Sequence, residues 1–241
     1  MKKDMKRTYS PAKAFTLIEI LTVIAIVGVL AALLFPAIKG ALQKAEIAQA
    51  QNDIKNIESA AKMFYTEYGK WPNPWPSSAG PINDFSYGAF GNSGSYTPNA
   101  SAGYCENYWL MNILRGIQDT GTVCGNGGTP TGSITPPVNS RSIPFLAIPQ
   151  KSLKLVDPNH GYYDYVDPWG NPYQITVDTS YDNICSNLAR SASTGAGTPV
   201  NASGSAPGCV SNQTVVVWSF GPLGPYGTHT LNPKDWITSW Q

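Results

Sequence analysis

The chain has 241 residues and a formal net charge of +1, with only 13% charged residues against 23 glycines and 20 prolines. A near-neutral chain whose cations gather at the start offers no basic stripe for nucleic acid. Its two histidines lie outside any nucleophile, metal or acid–base motif, and no Gly-x-Ser-x-Gly, His-Glu-x-x-His or phosphate-binding glycine loop occurs, so an enzyme is not expected.

The first element is a basic leader over 1–14, where Lys2, Lys3, Lys6, Arg7 and Lys13 are opposed only by Asp4. An apolar run follows over 15–35, about 30 Å long as a helix and so long enough to cross a bilayer once. The preceding cations put the N-terminus in the cytoplasm. No small-residue cleavage site follows the run, so the residues alone read as an uncleaved signal anchor rather than a secretory signal. Glu19 is the only charge in the run. A carboxylate at such a position costs roughly 2.5 to 3.5 kcal/mol on insertion scales and calls for a neutralising partner. Gly28 and Pro36 interrupt the same helix, and the proline, which removes a hydrogen bond and crowds the preceding turn, is expected to kink or loosen it.

Past Pro36 the pattern turns amphipathic. Ile47, Ile54, Ile57, Ala61, Phe64 and Tyr68 form one helical stripe, with Lys44, Glu46, Asp53, Lys55, Glu58 and Lys62 on the other faces. Gly69 is placed to cap the helix. The expected organisation is a leader over 1–14, a transmembrane helix over 15–36, its amphipathic continuation over 37–69 and a globular domain over 70–241. The globular part is sparse in charge and dense in Gly, Pro, Ser, Thr and Asn, with loop-rich insertions near 73–141 and 179–212. Its readable elements are a short helix around 108–117 and strands over 173–177 and 214–220. Strands so short need the amphipathic helix to pack on, which predicts an α+β fold: a long N-terminal helix on a small antiparallel sheet.

The four cysteines bracket two Gly- and Ser-rich segments. An even number in an exported domain reads as disulfides with three possible connectivities, of which Cys105 to Cys124 and Cys185 to Cys209 is the simplest. Each bridge would close a loop of about twenty residues, worth roughly 3 kcal/mol by the chain-entropy argument. No Cys-x-x-Cys unit supports zinc. The aromatic residues Trp75, Phe85, Tyr87, Phe90, Tyr96 and Tyr104 are expected to pack beneath the loops rather than face a ligand.

Lys13-Ala14-Phe15-Thr16-Leu17-Ile18-Glu19-Ile20-Leu21 resembles the class III signal of type IV pilins and type II secretion pseudopilins. That resemblance implies cleavage between Ala14 and Phe15 and methylation of the new amine by a prepilin peptidase, with Ala14 where glycine is more usual. It assigns Glu19 to pairing with the amine of a neighbouring subunit, a registry element rather than a source of net stability. It also assigns Gly28 and Pro36 to the segment that loses helical structure in the filament. Glu67 to Pro72 is similar to the helix exit of major pseudopilins. Asp167-Pro168-Trp169-Gly170-Asn171-Pro172-Tyr173-Gln174 resembles their turn-and-strand signature, a mark of fold rather than of chemistry. Val217 to Pro222 is similar to their Ser-x-Gly-Pro turn, after which that family often holds structural calcium. Here the loop offers one carboxylate, Asp235, with Asn232 and Asp178 as weak further candidates, so no cofactor is expected.

The resemblance is strongest to the major pseudopilin of a type II secretion system. It implies a non-enzymatic filament subunit, anchored once in the bacterial inner membrane with its globular domain in the periplasm. Its partners would be copies of itself, other pseudopilins, the prepilin peptidase, an inner-membrane assembly platform, and membrane lipid before assembly. The alternative is a type IV pilin for adhesion, motility or DNA uptake. A reading of another class is an uncleaved, membrane-anchored carbohydrate-binding protein displaying its aromatic loops.

Overall fold

The computed structural model describes residues 15–72, 84–88, 104–117, 138–157, 162–185, 210–223 and 236–239. Helix α1 spans Leu17–Tyr68, and the chain divides into two compact units, Met1–Ala45 and Glu46–Gln241.

In the first unit the helix is unbroken at Gly28 and Pro36, so the loosening expected at Pro36 is not seen in the isolated chain. Phe15, Leu17, Ile18, Ile24, Val29, Leu33 and Phe35 are all exposed. Among the described residues α1 is the one helix long and apolar enough to cross a membrane.

The second unit is α+β. Its main sheet has the order β2-β1-β5-β8-β9, built from Tyr104–Cys105, Phe85–Tyr87, Gln174–Val177, Val215–Ser219 and Ile237–Thr238. All neighbours are antiparallel except β1 with β2. The antiparallel hairpin of β3 (Leu153–Asp157) and β4 (Tyr162–Tyr165) and the small pair of β6 (Ile184–Cys185) and β7 (Val210–Ser211) complete the described strands. Register puts Phe85, Val177 and Val215 in one row and Tyr87, Ile175 and Val217 in the next. These six share a core with Ile54, Ile57, Ala61 and Phe64 of α1, as the alternation of strand faces requires.

The stripe expected on α1 is therefore the buried one, with Ile47 and Tyr68 at its partly covered ends. Gly69 takes φ +67 and donates its N–H to Tyr65 O at 2.8 Å, closing the helix as its sequence position foretold. Just beyond, the Tyr68 hydroxyl donates to Asn139 Oδ1 at 2.6 Å, and the Asn139 amide donates to the carbonyls of Ile113 and Ile143, tying the end of α1 to the end of the second helix.

That second helix, α2, spans Asn107–Arg115. Its N-cap residue, Glu106, makes no side-chain cap bond; instead Asp164 of β4 accepts the Tyr108 N–H at 3.1 Å. Asn107 bonds the Tyr165 N–H and the carbonyls of Tyr165 and Tyr173, stitching α2 to β4 and to the approach of β5. Gly116 ends α2 at φ +71, where a Cβ would come within 2.5 Å of Ser142 O. Strand β1 and helix α2, both inside the region expected as an insertion near 73–141, thus supply core residues, and Phe85 and Tyr87 are fully buried.

Phe64 is fully buried, with ring centroids 4.6 Å from Tyr68 and 5.5 Å from Phe145. Phe64→Ala is expected to lower the unfolding free energy by roughly 3–5 kcal/mol in chemical denaturation of the detergent-solubilised chain; a loss below about 1 kcal/mol would show that this stripe does not hold the domain together.

Candidate functional site

The N-terminal turn of α1 is held by a reciprocal cap. Glu19 Oε2 accepts the Thr16 N–H at 2.8 Å and the Thr16 hydroxyl at 2.7 Å, while Thr16 Oγ1 accepts the Glu19 N–H at 3.3 Å. This is a capping box: a Thr-x-x-Glu pattern satisfying donors that a helix start leaves open. The sequence carries that signal at Thr16-Leu17-Ile18-Glu19, where the charge of Glu19 in an apolar run conceals its capping role. Phe15 is 80% exposed, beside the expected cut. Ala14 lies outside the described residues. A Cβ on Gly28 would meet nothing within 4 Å, so the isolated chain places no packing demand on that glycine.

The Asp167-to-Tyr173 motif is the polar centre of the second unit. Asp167 O accepts the Gly170 N–H at 3.0 Å, placing Pro168 at the first corner of a turn, and Gly170 follows at φ +89. The Asp167 carboxylate accepts the backbone N–H groups of Trp169 and Asn171 and, at 2.6 Å, the Ser219 hydroxyl of β8. Ser219 Oγ in turn accepts the Gly221 N–H, and the Asn171 amide donates to Gly221 O. One carboxylate thereby ties the Asp-Pro turn to the Ser-x-Gly-Pro turn. Burial pushes its pKa up, partly countered by the donors from Ser219, Asn171 and Trp169.

The motif also grips helix α1. Trp169 Nε1 donates to Glu46 Oε2 at 3.0 Å, and the Tyr173 hydroxyl donates to Asp53 Oδ2 at 3.1 Å. Glu46 and Asp53 are seven residues apart and so share a helix face. Asp53 corrects the polar-face expectation: it is 7% exposed, buried because tyrosine donors meet it there. Burial first, then the negative charge of Asp53, hold the Tyr165 and Tyr173 phenols far above the ordinary tyrosine range, so both stay protonated at neutral pH.

Cys185 is a free, buried thiol, so the Cys185 to Cys209 bridge expected from spacing is not made in this structure. It packs with Val210 and Val216, and its Sγ lies 3.3 Å from Gln213 O. Burial, then the charges of Asp84, Asp178 and Asp182, raise its pKa strongly. Cys124 and Cys209 lie outside the described residues, as do Asn232 and Asp235, and Cys105 is described only as backbone. Asp178, the remaining calcium candidate, instead accepts the N–H groups of Tyr181, Asp182 and Asn183 and the Ser180 hydroxyl. It pins a loop in which Tyr181 and Asn183 both have φ +61. Among the described residues no group of three His, Cys, Asp or Glu is arranged to hold a metal.

Asp53→Ala is expected to cost about 3 kcal/mol of unfolding free energy, because it leaves buried tyrosine hydroxyls without their charged acceptor; Tm and denaturant midpoint read it, and an unchanged midpoint would remove the carboxylate from the grip. The raised pKa of Asp167 means that the folded state holds its proton more tightly than the unfolded chain does. Stability from this group is therefore full below the ordinary aspartate range and is lost as pH rises through the raised value. In Asp167→Asn that downward slope should vanish while the fold persists, and a wild-type slope in the variant would assign it to another group.

The prokaryotic N-terminal methylation motif matches residues 10–35. Over 60 residues, 25% of this chain and 36% of that protein, the chain is 43% identical to a type IV major pilin of Neisseria gonorrhoeae. It is 41% identical over 61 residues to the type II secretion system core protein G of Pectobacterium carotovorum subsp. carotovorum, covering 25% and 39% of the two chains. Fimbrial protein EcpC of Eikenella corrodens is 38% identical over 60 residues, again 25% and 39%. The matched stretch spans about a third of the length of these curated relatives. No solved structure matches significantly. The relatives are structural pilin and pseudopilin subunits rather than enzymes. A methylation motif thus stands at the start of a long apolar helix with an α+β unit after it, and over about a quarter of its length the chain is similar to type IV pilins and to a type II secretion core protein.

Proposed function

We propose that this chain is a structural subunit of a periplasmic pseudopilus that drives protein export in a type II secretion-like system. The observation that carries the choice of pseudopilus is the Asp167-to-Tyr173 motif, similar to the signature of major pseudopilins and built into the fold through Asp167, Trp169 and Tyr173. The similarity to a type II secretion core protein supports the same reading.

In this account a prepilin peptidase cuts after Ala14 and methylates Phe15, while the apolar helix holds the subunit in the inner membrane. Glu19 then exchanges its capping bond for the amine of a neighbouring subunit. The exchange is chemically matched: the carboxylate already accepts an N–H and an O–H at the helix start, and an α-amine offers a charged donor in their place. An assembly platform adds subunits, and Gly28 and Pro36 mark where the helix yields inside the filament. A type IV pilin is the second reading, favoured by the similarity to Neisseria pilins.

Intact mass and N-terminal sequencing of the chain from its native membrane should give a terminus at methylated Phe15. Retention of residues 1–14 would instead make an anchored binding protein the better account. Deleting the gene should leave exported proteins in the periplasm with surface pili unchanged; lost pili with normal export would assign the chain to a type IV pilus. Glu19→Ala is expected to leave membrane insertion and cleavage intact and to abolish filaments visible by electron microscopy.

A further inference from the structure

The outer face of the main sheet carries a row of polar atoms that find no hydrogen-bond partner among the described residues. Gln174 of β5, Trp218 of β8 and Thr238 of β9 are directly opposite one another in register, and therefore on one face. Gln174 Oε1, Trp218 Nε1 and Thr238 Oγ1 are buried with no hydrogen-bond partner among the described residues, although the Gln174 amide nitrogen donates to Pro172 O at 3.1 Å, and Gln174 and Trp218 are 1% and 2% exposed. The adjoining row solves the same problem directly, with Ser86 and Thr176 joining hydroxyls at 2.8 Å.

An orphaned buried polar atom is costly, and three of them stand on directly opposed positions of neighbouring strands. The atoms are chemically mixed: an amide oxygen that accepts, an indole N–H that donates and a hydroxyl that does either. A cation would leave the indole unmet, and an anion would leave the amide oxygen unmet. A neutral donor–acceptor is required. Trp218 is stacked on Trp236 at 4.7 Å and meets Phe220 edge-on at 4.8 Å, so its ring is flanked by aromatic neighbours. Opposed positions on neighbouring strands lie about 5 Å apart at Cβ, a gap that one small molecule with two hydrogen bonds can bridge.

We propose that the Gln174–Trp218–Thr238 row is a binding site for buried, ordered water that bridges β5, β8 and β9. Its consequence is register at the sheet edge. Strand β9 is only two residues long, and its other ties to β8 include the exchange in which Ser239 donates its N–H to Val217 O and accepts the Val217 N–H on Oγ. The water adds a polar rung on the outer face.

A crystal structure of the full chain in detergent, at a resolution that resolves waters, is expected to show one within hydrogen-bonding distance of at least two of the three atoms. Direct bonding between the Gln174 amide and the Trp218 indole, or apolar atoms filling the row, would overturn the proposal. Thr238→Val keeps the shape and removes the hydroxyl, so it should shift the unfolding equilibrium about tenfold toward the unfolded state. In a dry site the same change would be neutral or stabilising, which would equally refute the water.

Discussion

Everything in the globular unit depends on burying one side of α1. Strands of two to five residues cannot hold a sheet in water by themselves, and none of the described strands is longer. They persist because the rows Phe85–Val177–Val215 and Tyr87–Ile175–Val217 meet Ile54, Ile57, Ala61 and Phe64. Apolar packing fixes how tightly the layers approach but says little about how far one slides along the other. Polar contacts set that position. Glu46 and Asp53 hold Trp169 and Tyr173, so the helix is indexed to the turn before β5 at two points. Asp167 then carries the same frame across to the exit of β8.

This arrangement gives separate tasks to the acidic residues. In the apolar segment Glu19 closes a helix start, accepting the N–H and the hydroxyl of Thr16. In the globular unit Asp53, Asp164, Asp167 and Asp178 are buried and committed to the fold, each accepting donors from a different element or loop. A chain with so few charged residues uses its buried acidic side chains as joints, each held by donors that water no longer competes for.

The legible parts of the sequence were those governed by period and punctuation. The apolar run, the stripe from Ile54 to Phe64, the Gly69 cap, the Asp-Pro turn and the strands at 174–177 and 215–219 follow from local pattern alone. The α+β class followed from the need of those strands for a helix. Strand β1 was not legible, since Phe-Ser-Tyr between glycine-rich stretches has too little length to show alternation. Nor was the burial of Asp53, because its tyrosine partners lie 120 positions away or nearly so. The hairpin of β3 and β4 escaped for a similar reason: Tyr-Tyr-Asp-Tyr reads as loop until α2 is seen to need Asp164 at its start.

Cys185 draws out a matter of timing. Its thiol is sealed between Val210 and Val216 with three aspartates nearby, and both burial and charge disfavour the thiolate that attacks a disulfide or an oxidant. In the unfolded chain the same thiol is open to exchange. Oxidation and folding therefore compete for one residue, and whichever finishes first decides its state. A chain that closes its β6–β7 pair early keeps this cysteine reduced, whereas slow closure leaves that sulfur open to any cysteine that reaches it.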